Sequence, residues 1–129
     1  MSSIHQEVSL NASPERVFEA YMSETEHSTF TGKPAEISRE EGGSFSVHGG
    51  AVQGRNIELA TNQRIVQAWR VGLWPEGVYS VIKVELKAEG INKTRVILDH
   101  TGYPEEAHDH LEEGWHSMYW TPMKNYFKS

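Results

Sequence analysis

The fold is decided by residues 64–101, which read RIVQAWRVGLWPEGVYSVIKVELKAEGINKTRVILDHT. Within residues 94–101 the side chains alternate, so that Val96, Leu98 and His100 share one side. Such alternation is typical of a strand with one buried face. The same period of two runs through two earlier segments. These predicted strands and the turns between them lie at 64–71, 74–77, 78–87, 89–92 and 94–101.

Upstream of residue 64 the chain continues as short strands separated by glycine pairs. Because every connection is short, we expect antiparallel neighbours in a meander. A further alternating segment opens the chain at residues 4–10. The sequence therefore predicts a curved antiparallel sheet of about six to seven strands. The additional predicted strands are 4–10, 35–38, 43–47 and 52–59.

Three helices are predicted around these strands. Ser13-Pro14-Glu15 supplies a capping hydroxyl, a proline at the first helical position and an acid in the first turn. Ser23-Glu24-Thr25-Glu26 fits a capping box and predicts a second short helix. A long C-terminal helix is expected from Tyr103-Pro104 to about Tyr126. A curved sheet that grips such a helix commonly leaves a ligand-sized cavity between them.

Composition excludes several classes of function. The chain has 129 residues, enough for one domain, with a formal net charge of −6, which disfavours nucleic-acid binding. No apolar stretch is long enough to span a membrane. The absence of cysteine excludes disulfides and thiolate metal sites, and with the lack of a signal peptide it predicts a cytoplasmic location. No cofactor is expected.

An ordered set of short motifs covers nearly the whole chain. It is similar to the START-like, birch-pollen-allergen-like superfamily (SRPBCC), and within it to the branch named after the C-terminal domain of the activator of the heat-shock-90 chaperone ATPase. The segments that carry the resemblance are 12–18 (ASPERVF), 30–32, 42–45, 54–59, 64–70, 94–104 and 114–120.

The resemblance implies an α+β helix-grip fold over a single domain, residues 1–129, with an internal cavity. Members of the superfamily bind lipids or hormones, cyclise polyketides or regulate a chaperone, so the resemblance leaves the activity open. The chaperone activator's separate N-terminal chaperone-binding domain is not found in these residues.

The strand phases predict which side chains line a cavity. Buried polar groups are costly unless they meet a partner, so four of them on inward faces favour a ligand pocket. These polar residues are Arg55, Gln67, Ser80 and His100. The predicted apolar lining consists of Phe45, Ile57, Trp69, Ile82, Trp115, Met118 and Tyr119.

Two interpretations of His100 stay open. It can orient a ligand or act as a general base, or it can be a core histidine satisfied by hydrogen bonds. No nucleophile motif is present, so no catalytic residue is assigned. His108, Glu112 and His116 have a spacing that metal ligands use, but a solvated acidic helix face explains the same residues. We therefore predict no metal site.

Trp120 and Phe127 fall on the helix face opposite the apolar side of the predicted helix. Exposed aromatic residues can form an interface, here that of a homodimer. The alternative is that Pro122 kinks the helix and turns the last residues inward.

The patterns and the resemblance together leave three functions open. The first is a protein that binds a small hydrophobic or amphipathic ligand in the cavity. The second is a protein-binding module of the stress response, related to the chaperone activator and acting through its surface. The third is a cyclase- or hydrolase-type enzyme that uses His100 in the same cavity.

Overall fold

The computed structural model describes residues 2–128. Within them the sheet has seven strands, and three short or interrupted helical regions pack on it. The strands are β1 (Ile4–Leu10), β2 (Glu36–Ile37), β3 (Ser44–Val47), β4 (Val52–Ala60), β5 (Arg64–Val71), β6 (Ser80–Gly90) and β7 (Lys93–Thr101). The helices are α1 (Pro14–Met22), α2 (Glu24–Thr31), α3 (His108–Gly114) and α4 (Thr121–Tyr126), with a π-helical segment (Trp115–Trp120) joining α3 to α4.

The strands form one antiparallel sheet in the order β1-β7-β6-β5-β4-β3-β2. Across its centre Ile65 pairs with Val84, and Val84 with Leu98. All three are buried beneath the helices. We refer to residues 108–126, which run from α3 to α4, as the C-terminal helix. The helix-grip fold predicted from the sequence is confirmed.

The two short helices begin and end where their capping residues predict. The Ser13 hydroxyl accepts a hydrogen bond from the backbone N–H of Arg16, and the Ser23 hydroxyl accepts one from Glu26. Gly32 ends α2 at a φ of 76°, a left-handed conformation that glycine adopts without a Cβ clash. Between these caps, α1 packs on β6 and β7 and buries Phe18 and Tyr21, whereas α2 packs on α1 and on the C-terminal helix.

The predicted facing of Arg55 and Ile57 is wrong. Asn56 pairs with Gln67, whereas Glu58 pairs with Val66, so Ile57 is an extra residue in the ladder. This β-bulge shifts the side-chain phase by one position. Leu59 still packs against the core, but Arg55 is exposed, Ile57 is 51% exposed, and Asn56 is the buried residue.

The prediction of an exposed interface at Trp120 and Phe127 is also wrong. The N–H of Thr121 donates to the carbonyl of His116, five residues earlier, as in a π-helix. The wider turn brings Trp120 round to the side of Trp115, and the two rings stack at a centroid distance of 5.5 Å. Trp120 is 2% exposed, and Phe127 is buried beneath the Arg16 guanidinium.

Candidate functional site

A pocket of about 150 Å³ lies between the sheet and the C-terminal helix. Four of the residues predicted to line a cavity do line this one: Trp69, Trp115, Met118 and Tyr119. The remaining walls come from the turn after β3, the start of β4, the end of β5 and α3. They consist of His48, Ala51, Val52, Val71, His110, Leu111 and Gly114.

Two ring nitrogens of the pocket walls lack hydrogen-bond partners within residues 2–128. They are Nε1 of Trp69 and Nδ1 of His48, and both atoms are buried. Trp69 as a whole is 5% exposed, so bulk water does not satisfy its N–H. A buried donor without a partner costs about 1–3 kcal/mol, which makes two such atoms beside one pocket informative about what the pocket holds.

His48 is held in an unusual position by its backbone. Its φ is 54°, in the left-handed region that few residues other than glycine adopt. The conformation turns the imidazole towards the C-terminal helix, where its ring centre lies 5.2 Å from that of Tyr119. Burial, with smaller contributions from nearby His27 and Lys33, lowers the pKa of His48 to about 4. The ring is therefore neutral at pH 7. The glycine pairs between the predicted strands indicate only turns, so the sequence pattern does not identify His48.

His100 and Ser80 are fully buried, as their strand phases predict, but they do not line the pocket. Trp115 Nε1 donates to His100 Nδ1 at 3.1 Å, so the proton of the neutral ring lies on Nε2. That nitrogen donates to the Ser80 hydroxyl at 2.8 Å, which in turn donates to the Trp69 carbonyl. Burial lowers the pKa of His100 to about 4. Both ring nitrogens are occupied, so the arrangement fits the core-histidine interpretation.

A second buried polar network joins the helices to the sheet. His27 donates from Nδ1 to the Tyr21 carbonyl at 2.8 Å, and its Nε2 accepts from the Tyr119 hydroxyl at 3.1 Å. The Tyr21 hydroxyl donates to Gln67, whose amide donates to Asn56. Gln67 is thus inward-facing, as predicted, but its amide group is bonded to protein. The sequence did not identify His27 or Asn56, because α2 buries only His27 and Phe30 and because Asn56 lies beside the bulge in β4.

The other predicted lining residues are divided between the core and the surface. Phe45 and Ile82 are buried in the core and do not touch the 150 Å³ pocket. Arg55 lies on the outer face of the sheet, where it donates to the carbonyl of Gly42. There it borders a larger open groove of about 830 Å³, which also touches Phe45.

The helix residues considered as metal ligands do not converge. The His108 imidazole bonds the Tyr103 hydroxyl through Nδ1, and its Nε2 lies 3.9 Å from a Glu112 oxygen. His116 is exposed and lines a cleft together with Glu112, but His108 does not line that cleft. Among the described residues, no three His, Asp or Glu side chains are grouped so as to hold a metal ion. Nor does any helix within residues 2–128 combine the length and apolar character needed to cross a bilayer.

Comparison with known proteins shows which family has this architecture. Residues 11–128 match the model of the family described as Activator of Hsp90 ATPase homolog 1-like protein. A curated relative from Dictyostelium discoideum, "Activator of 90 kDa heat shock protein ATPase homolog", is 34% identical over 103 residues, which cover 80% of this chain and 27% of the relative. The chain thus spans about a quarter of that relative's length.

Solved structures agree on the fold. An Hsp90 activator from Plasmodium falciparum superposes with a TM-score of 0.87 at 24% identity, covering 92% of this chain and 91% of that one. An Aha1 dimer from Colwellia psychrerythraea superposes with a TM-score of 0.83 at 18% identity, covering 98% and 97%. The family model spans almost the entire sequence, from the end of β1 to the end of α4. The chain therefore belongs to the Activator of Hsp90 ATPase homolog 1-like family.

Proposed function

We propose that this protein binds a 90-kDa heat shock protein chaperone and changes its ATPase rate. The observation that carries the proposal is the match to the family model over residues 11–128, together with the 34% identity to a relative named as an activator homologue. Binding requires the chain and the chaperone to share a compartment, and the sequence predicts that this chain lies in the cytoplasm.

The outer face of the sheet offers a surface for this contact. Three large apolar side chains are exposed there: Ile57 at 51%, Tyr79 at 53% and Val81 at 42%. Val81 lies opposite Ala68 on β5, and Ala68 lies opposite Arg55 on β4, two residues from Ile57 along the chain. Exposed apolar side chains on one face of a sheet favour a protein-binding surface.

The test is an ATPase assay with a purified 90-kDa heat shock protein. We expect the native chain to bind the chaperone and change its rate of ATP hydrolysis. The double variant Ile57→Lys/Val81→Lys should weaken binding by about tenfold or more, since charges replace the apolar contact. Leu73→Lys/Ile91→Lys is the matched control, because both residues lie in turns and are exposed, at 96% and 95%. A native chain that neither binds the chaperone nor alters its ATPase rate contradicts the proposal.

We propose, as a second function, that the pocket beside the C-terminal helix binds a small apolar molecule carrying one polar group. The two unpartnered nitrogens of Trp69 and His48 favour it, since an occupant of the pocket could complete their hydrogen bonding. A cavity of about 150 Å³ in another protein holds one benzene molecule. The expected ligand is therefore about the size of one aromatic ring.

The chemistry of the walls narrows the ligand further. The Trp69 N–H can only donate, so the ligand must supply an acceptor. The neutral His48 ring does not compensate a negative charge, which disfavours a carboxylate. A hydroxyl suits both nitrogens because it accepts and donates. Phenol should therefore bind more tightly than toluene, which has a similar shape but no group that forms hydrogen bonds.

Gly114 provides the test of this pocket. A Cβ built on Gly114 meets no heavy atom within 4 Å, and the residue lines the pocket. Gly114→Leu should therefore fill the pocket without unfolding the protein and abolish phenol binding. Ser117→Leu places the same side chain on the exposed side of the helix and should leave binding unchanged. Binding would be followed by tryptophan fluorescence and by the shift of Tm with ligand. Equal affinity for phenol and toluene would show that the two nitrogens do not bind the ligand.

A further inference from the structure

The two edges of the sheet differ in how open they are. At one edge β2 has only two residues, which leaves little backbone for another chain to pair with. At the other edge β1 has seven residues in unbroken register with β7, from Ile4 opposite His100 to Leu10 opposite Thr94. Within residues 2–128 no strand lies on the other side of β1, and the backbone groups that point away from β7 have no partner there.

Exposed edge strands usually carry features that prevent pairing with another chain. Common ones are a proline, a bulge, a lysine or a short length. The sequence of β1, IHQEVSL, contains neither proline nor lysine, and its ladder with β7 has no bulge. Its carboxylate, Glu7, is paired with Arg95 of β7. Since β2 is protected by its shortness and β1 is not, the β1 edge is the place in the sheet where a further strand can be added.

A cleft runs beside this edge and leaves room for the side chains of an added strand. It has a volume of about 440 Å³ and lies between β1 and the exposed side of α3. His5 and Gln6 form its β1 wall. The helix wall is formed by Asp109, Glu112, Glu113 and His116.

The charge of the cleft identifies the occupant. Three carboxylates and two histidines line it, and one of the histidines, His5, is already paired with Glu7 and Asp99. A second copy of this chain would bring the same carboxylates of its own helix towards them, and the like charges would repel. A segment rich in Lys or Arg would instead be attracted.

We propose that the β1 edge binds an extended basic peptide segment, which adds to the sheet as an eighth strand. Main-chain hydrogen bonds to β1 supply affinity, and the carboxylates of α3 select for positive charge. The surface is separate from the exposed residues of the outer sheet face and from the pocket beside Trp69. The proposal therefore holds or fails independently of both proposed functions.

The probe is the fluorescein-labelled peptide acetyl-KVKVKVK-amide, with acetyl-EVEVEVE-amide as its acidic counterpart. We expect the basic peptide to bind the full chain and the acidic peptide not to bind. Hydrogen exchange measured by NMR should show slowed exchange at alternating backbone amides of Ile4–Leu10 and no change in β2. Exchange of the β1 amides that stays unaltered at saturating peptide overturns the proposal.

Two controls separate strand addition from simple charge attraction. Two variants of the basic peptide carry N-methyl groups, one on the valine amides and the other on the lysine amides. Because only alternate amides face β1, one of these two peptides should no longer bind. Unchanged binding of both methylated peptides overturns strand addition.

The second control concerns charge. Glu112→Lys/Glu113→Lys should weaken binding by about tenfold. Glu40→Lys/Glu76→Lys makes the same change in net charge at exposed sites elsewhere and should have a smaller effect. A dimer found by sedimentation without peptide, together with slow exchange of the β1 amides in that dimer, would assign the edge to a second copy and overturn the proposal.

Discussion

His100 and His27 are both buried and neutral, but their hydrogen bonds select opposite tautomers. His100 accepts at Nδ1 from Trp115 and so carries its proton on Nε2. His27 donates from Nδ1 to the carbonyl of Tyr21 and so accepts at Nε2. We expect ¹⁵N NMR of the imidazoles at pH 7 to show the Nε2–H form for His100 and the Nδ1–H form for His27. The same tautomer at both positions would contradict the described networks.

The indole of Trp115 does more than fill space. Its N–H is the only donor within residues 2–128 that is bonded to Nδ1 of His100, and its ring stacks on Trp69 at 5.4 Å. Trp115→Phe keeps most of the stacking but leaves that nitrogen unpaired, so the free energy of unfolding should fall by about 1–3 kcal/mol. Trp74→Phe, in a partly buried residue whose Nε1 has no bond in the described structure, should cost less than about 1 kcal/mol in the same urea titration.

At the scale of elements, the strands and helix starts could be predicted because each depends on a local period or a capping residue. Ser13, Ser23 and the alternation of β7 are examples. The two errors in facing have a common physical cause. The bulge at Ile57 adds one residue to a period of two, and the π-helical segment adds one to a turn of 3.6. A single sequence does not reveal such an insertion, since tertiary packing decides where it is accommodated.

The residues that line the candidate pocket could be predicted only where the secondary structure is regular. Trp69 lies on a regular strand and Trp115 near the start of the interrupted helix, so their faces followed from periodicity. His48 belongs to a turn with a left-handed backbone, where no period applies. Arg55 was assigned through Leu59 across the bulge, and its predicted facing was reversed.

The π-helical segment leads to a prediction about Trp120. Its ring is buried against Trp115, and its Nε1 donates to Gln6 at 2.6 Å, which fastens the C-terminal helix to β1. Trp120→Ala should therefore lower the free energy of unfolding by about 3–5 kcal/mol, as for other large buried aromatic residues. The oligomeric state, measured by sedimentation, should not change. A loss below about 1 kcal/mol in urea unfolding would indicate a surface position instead.

At the scale of the whole molecule, the buried histidines join its parts. His27 links α2 to the C-terminal helix through Tyr119, and His100 links β7 to the same helix through Trp115. Protonation of either ring would place a charge where its acceptor nitrogen now receives a hydrogen bond. Acid should therefore loosen the packing of the C-terminal helix on the sheet and on α2 at the same time.

The sign of the pH dependence follows from the direction of these shifts. Burial lowers the pKa of both His27 and His100 from 6.5 to about 4, so the unfolded chain binds protons that the folded chain does not. Their contribution is fully present above pH 6.5 and is lost as the pH falls from 6.5 towards 4, by up to about 3 kcal/mol for each ring. Glu26, whose pKa is lowered by Arg16 and Tyr126 against the effect of burial, loses its contribution only in more acidic solution.

We therefore expect the free energy of unfolding to fall steeply between pH 6.5 and pH 4. Since burial also lowers the pKa of His48 to about 4, unfolding near pH 5 should take up about two to three protons. Urea titrations at a series of pH values measure the slope, and calorimetry in buffers of different ionisation enthalpy counts the protons. His5 provides an internal contrast. Its pKa is raised by hydrogen bonds to Asp99 and Glu7, so its ring should titrate by NMR above 6.5, while His27 and His100 stay neutral until about pH 4. A free energy of unfolding that stays constant from pH 7 to pH 5 would contradict this prediction. It would show that the buried rings take up protons in the folded state, although their hydrogen bonds to the C-terminal helix require neutral rings.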